Sequence, residues 1–530
     1  MPKKKQVILI HVRDPQFYAF NKGERAANGN PVIMGFPPIG IMSLSAVLKR
    51  AGHKCIMFDQ ANPQTTDKDI LDTIGREKPD LVGLSFLSTT SYPYAKILAR
   101  QIRAAHPRVK MAFGGVFVTL NDAKVKKQCP EVDFICRGDG EQVILDLLES
   151  LPEPRTVKGI TWMDRTAVVR NPDRPLERAL DQWPEPDRES LKLDFLESMP
   201  LDVPVVLSMD RFTTMQTSRG CPFPCVFCDI PAFGQGKWRP RSAEHVVAEL
   251  KHLEELGYRS VYFLDDNFLL QTPRIEKICD LIIQEGLTIK WACEGRVDCK
   301  DQERMFALMA KAGCRTLMFG IESGSQKVLD RLKKKQTLEQ ISSAVRSAKK
   351  LGIQLVHGFF VVGTPDETPE DMMRCFELAA ALPLDTFGFN RLCTYRGTPL
   401  WDEYVRRGLV NDEEEWYKYF KCSEIDPTCM RGEQINEIRK KGFKKLFIYK
   451  LRHYPWQTFW LLRRFLQTMS FRDLWIILFK PFFGQSKGAT KQELLACSVE
   501  HGLLKDAAAE MTRVSDAELT ACAKPPAPLA

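Results

Sequence analysis

Three cysteines, Cys221, Cys225 and Cys228, fall in the stretch SRGCPFPCVFCDIPAFGQGKWRPRS of residues 218–242, with the spacing C-x3-C-x2-C. Thiolates so closely spaced bind soft metals. A structural zinc site takes four ligands, and no second C-x2-C or H-x3-H pair lies nearby to complete one. Two prolines, a glycine and an arginine place the trio in a turn, which argues against three unrelated core thiols. An iron–sulfur cluster is normally held by four thiolates. Three local ones leave the fourth iron open to a different ligand.

These residues need a frame that brings them to a rim. Residues 6–150 alternate strand and helix signals: QVILIHV, KCIMFD, DLVGLSF and KMAFGG are short apolar runs, separated by amphipathic stretches such as IGIMSLSAVLKRAG and YAKILARQIRAAH. That pattern predicts a doubly wound parallel sheet, with ligands beyond the carboxyl ends of its strands. Those ends carry His11, Asp59, Ser85, Ser88, Thr89, Gly114, Gly115 and the run RGDGE at residues 137–141. Residues 151–204 hold eight of the 33 prolines and read as a connector.

A second series follows over residues 205–410, with strand signals TTMQTSRG, SVYFLDD, KWACEGR, TLMFGIES, LVHGFFVVG and TFGFNRL. Six βα units are fewer than the eight of a closed barrel, so the expectation is a partial (βα)6 barrel whose active face lies at the strand ends. The cysteine loop follows the first of these strands. The overall fold class is therefore α/β with a helical C-terminal region at residues 411–500, and a tail over 501–530 that reads as disordered at its Ala/Pro-rich end.

The chain has 530 residues and a formal net charge of +9, and 44% of its residues are hydrophobic, as in folded multidomain proteins. MPKKKQVILIHV is read as a first buried strand, since its apolar run is too short for a secretion signal. With no such signal, 16 scattered cysteines indicate reduced thiols and a cytoplasmic setting. Cys279, Cys293, Cys314 and Cys375 read as core thiols. Cys422 and Cys429, in the loop-rich stretch after the barrel, are candidates for a substrate-side role. Residues 438–480 contain eleven Lys or Arg and one acid, Asp473, interleaved with YPWQTFWLLRRFLQ and LWIILFKPFFG. Charges break these runs well below the length of a membrane span. The segment reads either as helices packed on the barrel or as a peripheral contact with an anionic membrane. No nucleic-acid reader motif is present, and no nucleic-acid partner is expected.

With the trio, the aromatic Phe227 before its last cysteine, and the rim stretches in view, the sequence resembles the radical S-adenosylmethionine superfamily. The resemblance implies that Cys221, Cys225 and Cys228 bind three irons of a [4Fe–4S] cluster, and that S-adenosylmethionine chelates the fourth. It also implies cofactor contacts at Phe227 and at the other strand ends: Asp266 in FLDDNF, Glu294 and Arg296 in CEGRVD, Glu322 and Ser323 in GIESGS, and Gly363 in FFVVGTPDET. Each has a plainer reading: Asp265 or Asp266 as a helix cap, Glu322 as a partner of Arg296, and Gly363–Pro365 as a turn. The preceding sheet resembles the cobalamin-binding subgroup, which implies a corrinoid near Ser85, Ser88, Thr89, Gly114 and Gly115. The D-x-H-x-x-G motif of many cobalamin domains is absent. The small residues would otherwise serve helix–sheet packing.

The subgroup implies an electron donor such as flavodoxin or ferredoxin, and a small-molecule substrate that the basic aromatic C-terminal segment makes large and apolar. Methylation of an unactivated carbon is the leading reading. Second stands an oxidative cyclisation of the anaerobic magnesium-protoporphyrin monomethyl ester cyclase type, and third a non-catalytic cobalamin and cluster sensor.

Overall fold

The computed structural model describes residues 4–13, 36–62, 64–89, 91–151, 153–191, 211–412 and 432–468. The stretches 192–204 and 469–500, Cys422, Cys429 and the tail 501–530 lie outside the described residues.

The first sheet contains β1 (Gln6–His11), β2 (Lys54–Asp59), β3 (Leu81–Ser85), β4 (Lys110–Gly114), β5 (Phe134–Cys136), β6 (Ile160–Asp164) and β7 (Ala167–Arg170), in the order β2-β1-β3-β4-β5-β6-β7. Pairing is parallel from β2 to β5 and antiparallel from β5 to β7. Alternate residues of β1 enter opposite cores. Ile8 and Ile10 meet the helices Asp67–Glu77, Tyr92–Ala105 and Val116–Gln128, while Val7 and Leu9 meet Ile39–Arg50 and Gly140–Ser150. Burial on both faces explains why these strands read as continuous apolar runs. The stretch read as a connector thus begins with a hairpin, β6–β7, that extends this sheet.

The second sheet is six-stranded and parallel, formed by β8 (Phe212–Met215), β11 (Ser260–Phe263), β12 (Lys290–Gly295), β13 (Cys314–Glu322), β14 (Leu355–Val362) and β15 (Thr386–Arg391), ordered β15-β14-β13-β12-β11-β8. Between β8 and β11, the short strands β9 (Ser218–Arg219) and β10 (Arg239–Pro240) pair antiparallel. Helices cover the outside of the sheet, two of them started by Thr337 and Thr368 through reciprocal side-chain caps. The inner face carries Tyr262, Ala292 and Met318, joined by Phe36, Phe212 and Phe359. This is the expected open, partial barrel.

The two sheets are joined at several points. After β15 the helix Pro399–Arg406 returns to the first sheet, where Leu400, Trp401 and Tyr404 enter the core built by Ile8 and Phe113. Within the connector, Asp187 pairs with Lys49 at 2.7 Å, while the next residue, Arg188, reaches Glu249 of the barrel at 2.8 Å. At the strand ends, Asp139 before the helix Gly140–Ser150 and Glu141 in its first turn reach the barrel. Asp139 pairs with Arg239 and lies 3.4 Å from Arg219, and Glu141 pairs with Arg219 at 2.6 Å.

The C-terminal helix Gly432–His453 lies against Pro369–Ala381, and Gly442 sets the approach, since a Cβ there would fall 2.4 Å from the Phe376 ring. Lys450 is buried and donates to the carbonyls of Leu382 and Leu384 at 2.6 and 2.9 Å. Burial pulls its ammonium down to about 7. Among the described residues, no helix is long and apolar enough to cross a membrane.

Breaking a buried ion pair from one side strands the other charge. Asp139→Ala, which leaves Arg239 without its carboxylate, is expected to cost roughly 3–5 kcal/mol, read as a lower urea midpoint. An unchanged midpoint would mean that this contact between the sheets does not contribute to stability.

Candidate functional site

The cysteine loop is held at its neck before any ligand is considered. Arg219 and Arg239 face each other in the β9–β10 pair, so the chain leaves and re-enters at one point. Gly220 has φ +86°, and a Cβ there would lie 2.1 Å from the Lys237 carbonyl oxygen, so only glycine passes. Asp265, after β11, accepts from the Thr217 N–H at 2.7 Å and from the hydroxyls of Thr217 and Ser218 at 2.6 Å each. Asp266 accepts from the Gly220 N–H at 2.7 Å. These two acids tie the loop to the neighbouring strand instead of capping a helix. Farther along, the Val226 N–H donates to the Leu332 carbonyl at 3.1 Å, and the Val226 carbonyl accepts from the Leu400 N–H at 3.0 Å.

Within this loop Cys225 lies close enough to Cys221 and Cys228 to act on both their thiols. Burial pushes the thiols of Cys221 and Cys228 up, and the neighbouring cysteines add to the shift. Among the described residues, no three Cys, His, Asp or Glu side chains converge on a point where a single ion would sit. Three neighbouring thiols in one loop suit a polynuclear group, in which each sulfur meets a different iron. The cationic irons would also remove the electrostatic cost of placing three thiolates together. The donor set therefore fits an iron–sulfur cluster.

The other rim residues are placed as follows. Asp266, beside the loop neck, is held up to about 6, mainly by burial, with Asp265 and Asp229 adding repulsion and the Gly220 N–H opposing it. Glu294 faces the barrel interior, where the Tyr262 hydroxyl donates to it. Arg296 is buried against the cysteine loop: its Cζ lies 3.6 Å from the Phe223 ring centre and Nη1 lies 3.9 Å from Cys225 Sγ. Glu322 accepts from Lys334 Nζ at 2.7 Å, so its buried partner is Lys334 and not Arg296. Its φ of +66° is costly for a residue with a side chain, and Gly320 leaves the space that this ion pair fills. The Ser323 hydroxyl is used inside its own turn, 3.5 Å from Cys375 Sγ and accepting from the Ser325 N–H at 3.1 Å.

Gly363 has φ +79°, and its N–H donates to Glu367 at 2.6 Å, with the Thr364 N–H donating to the same oxygen at 2.9 Å. Burial lifts the Glu367 carboxyl to about 7, against the effect of those two N–H groups. Glu367 and Lys334 were not among the candidates from sequence. The only local signal was an acid four residues after Gly363, just before a capped helix.

On the first sheet, the Ser88 hydroxyl lies 3.1 Å from Ser91 Oγ and accepts from the Ser91 N–H, at the start of the helix Tyr92–Ala105. Gly115, at φ +115°, brings the chain so close that a Cβ would lie 2.1 Å from the Phe86 carbonyl oxygen. A side chain at Gly114 would meet nothing within 4 Å, and a Cβ at Gly83 would fall 2.9 Å from the end of the Leu9 side chain. Ser85 ends β3, and its carbonyl accepts from the Val12 N–H at 3.0 Å. His11 and Asp59 pair across the ends of β1 and β2 at 2.8 Å.

Where the first sheet meets the cysteine loop and the chain after β15 lies a small, open crevice. Leu87, Thr89 and Asn121 line it together with Asp229, Thr394 and Trp401. Leu87 is 66% exposed, unusual for a leucine at a strand end. Asn121 Oδ1 and Thr394 Oγ1 are buried there without a hydrogen-bond partner. An apolar platform beside unsatisfied polar atoms fits the edge of a flat, amide-rimmed macrocycle such as a corrin. Asp229 directly follows Cys228, so the crevice opens beside the cysteine loop.

The Radical SAM superfamily profile matches residues 215–379, and the B12 binding domain profile matches residues 33–148. An uncharacterized methyltransferase of Pyrococcus horikoshii is 33% identical over 421 residues, spanning 78% of this chain and 88% of the relative. An anaerobic magnesium-protoporphyrin IX monomethyl ester cyclase of Cereibacter sphaeroides is 25% identical over 457 residues, spanning 83% and 72% of the two chains. Among solved structures, the cobalamin-dependent S-adenosylmethionine radical enzyme OxsB, with aqua-cobalamin and S-adenosylmethionine bound, superimposes with a TM-score of 0.65 at 18% identity. That match covers 99% of this chain and 82% of that one, and shares the fold. Enzymes of this class use a [4Fe–4S] cluster, S-adenosylmethionine and cobalamin. With both domains in order along one chain and a relative matched over most of its length, the chain belongs to the cobalamin-binding radical S-adenosylmethionine enzymes.

Proposed function

We propose that this enzyme methylates an unactivated carbon of a large, apolar small molecule. The observation that carries the reading is the shared crevice: Leu87 and Thr89, after the corrinoid-side strand β3, line one space together with Asp229, the residue after Cys228. A group held by the first sheet and a group held by the cysteine loop would then address the same substrate. When bound, the cluster and S-adenosylmethionine supply a carbon-centred radical and the corrinoid supplies the methyl group. Cys221, Cys225 and Cys228 hold the cluster. Asp266 fixes the loop through Gly220, and Glu294, Glu322 and Gly363 line the barrel rim on the cofactor side. Leu87, Thr89 and Gly115 give the corrinoid an apolar, closely approached edge, with Ser85, Ser88 and Gly114 nearby. The name of the Pyrococcus relative, matched over 88% of its length, supports methyl transfer over the ring closure named for the cyclase. A flavodoxin or ferredoxin of a reducing cytoplasm would supply electrons.

The C-terminal helices support a contact with a membrane surface. Ile448, Leu451, Trp456 and Phe459 are 54%, 48%, 83% and 62% exposed, and Lys444, Arg452 and Arg463 are exposed beside them. An apolar strip edged by cations suits an anionic bilayer that presents an apolar substrate.

Three outcomes are expected. Anaerobically reconstituted protein given a reductant and S-adenosylmethionine should form 5′-deoxyadenosine together with S-adenosylhomocysteine, and Cys225→Ala should lose both, along with its bound iron. Deoxyadenosine without the homocysteine product would favour cyclisation, and activity in the Cys225→Ala protein would remove the cluster assignment. Leu87→Asp should leave the fold intact, because the side chain is exposed, but weaken corrinoid retention as read in the visible spectrum; full retention would place the corrinoid elsewhere. Flotation with phosphatidylglycerol vesicles should be strong for the native protein and lost in a Trp456→Ser, Phe459→Ser double variant, while failure of the native protein to float would end the membrane reading.

A further inference from the structure

Arg296 stands immediately after β12, and its guanidinium is fixed on three sides. Nε and Nη2 donate to the two carboxylate oxygens of Asp298 at 2.9 and 2.7 Å, and Nη2 also donates to the Lys334 carbonyl at 2.6 Å. The Phe223 ring, from the cysteine loop itself, covers one face with its centre 3.6 Å from Cζ. The remaining terminal nitrogen, Nη1, points at Cys225 Sγ from 3.9 Å, at the long end for an N–H···S contact. Both residues are buried, Arg296 at 5% exposure and Cys225 at 8%. A guanidinium keeps its proton in a protein, and a planar fork bound at both ends to one carboxylate does not turn to seek another acceptor. The direction of the Nη1 donor is therefore set by Asp298, Lys334 and Phe223, independently of what the thiol binds.

We propose that Arg296 is a positioning residue of the cluster, donating its Nη1–H to the Cys225 thiolate and making the bound cluster easier to reduce. The inference rests on the reading that Cys225 holds the cluster. Reduction adds one electron, supplied by a low-potential one-electron donor, and breaks no bond. A cationic N–H beside a ligand sulfur stabilises the more negative, reduced form more than the oxidised one. Hydrogen bonds to sulfur and burial are recognised determinants of cluster potential. Asp298 balances the charge overall, yet its oxygens lie on the far side of the guanidinium, so the local dipole at Cys225 remains.

The test uses the full-length, anaerobically reconstituted protein. Protein labelled with [15N]arginine is reduced with dithionite, and pulsed electron paramagnetic resonance of the reduced cluster should detect coupling to an arginine nitrogen. Arg296→Lys should lose that coupling. In a redox titration, Arg296→Met should be harder to reduce by about tenfold in the equilibrium, which is 59 mV for a one-electron couple. The Lys variant, which keeps the charge without the fixed fork, should fall between. A fully loaded native cluster without arginine coupling, or a loaded Met variant with native potential, overturns the inference. Should the Met variant take up no iron, the coupling in native protein decides. A native protein that binds no cluster at all would instead bring down the parent reading that Cys225 is a ligand.

Discussion

The arrangement depends on a small set of buried charges where the two sheets meet at their strand ends. Asp139 and Glu141, at the start of the helix Gly140–Ser150, hold Arg219 and Arg239, the two residues that pair at the neck of the cysteine loop. Arg239 is 3% exposed and Glu141 4%. Charges removed from water this thoroughly need their partners, so the contact fixes geometry even where its net contribution to stability is small. Because the same arginines bracket Cys221, Cys225 and Cys228, any shift of the first sheet would be felt directly at the thiols. The crevice between Leu87 and Asp229 is a consequence of that docking.

Inside the barrel a second layer of polar contacts performs the same service for individual groups. Asp265 takes three hydrogen bonds from Thr217 and Ser218, and Asp266 takes one from Gly220, so the loop enters in one conformation. Lys334 joins two rim residues: its ammonium holds Glu322, and its carbonyl holds Arg296. The strained φ of Glu322 persists because this pair and the gap at Gly320 over-determine it. Sites that must steer a reactive radical benefit from such preorganisation, since a loose group would admit side reactions.

Much of this was legible in the residues themselves. Period and apolar run length located both sheets, because buried parallel strands leave a continuous hydrophobic signature, and the cysteine spacing marked the loop. The hairpin β6–β7 was missed: its second strand, AVVR, is only partly buried, and a proline-rich context masked the turn. Pairings were less accessible. Glu322 finds Lys334, 12 residues away on the same segment, and not Arg296, because Arg296 is already committed to Asp298. The run RGDGE looked like a ligand rim, yet its acids face arginines some 80 to 100 positions away, a relation that no local pattern carries. Cys279, Cys293, Cys314 and Cys375 are indeed fully buried, although Cys375 also accepts the Gly324 N–H at 3.3 Å.

The central claim is that one rim, formed by both sheets, brings the corrinoid and the cluster to the same space. The most direct measurement is pulsed electron paramagnetic resonance on protein loaded with both groups, the cobalt as cob(II)alamin and the cluster singly reduced. The account predicts strong dipolar coupling between the two spins within one chain. Two signals that relax independently, in protein shown to carry both groups at full occupancy, would contradict it.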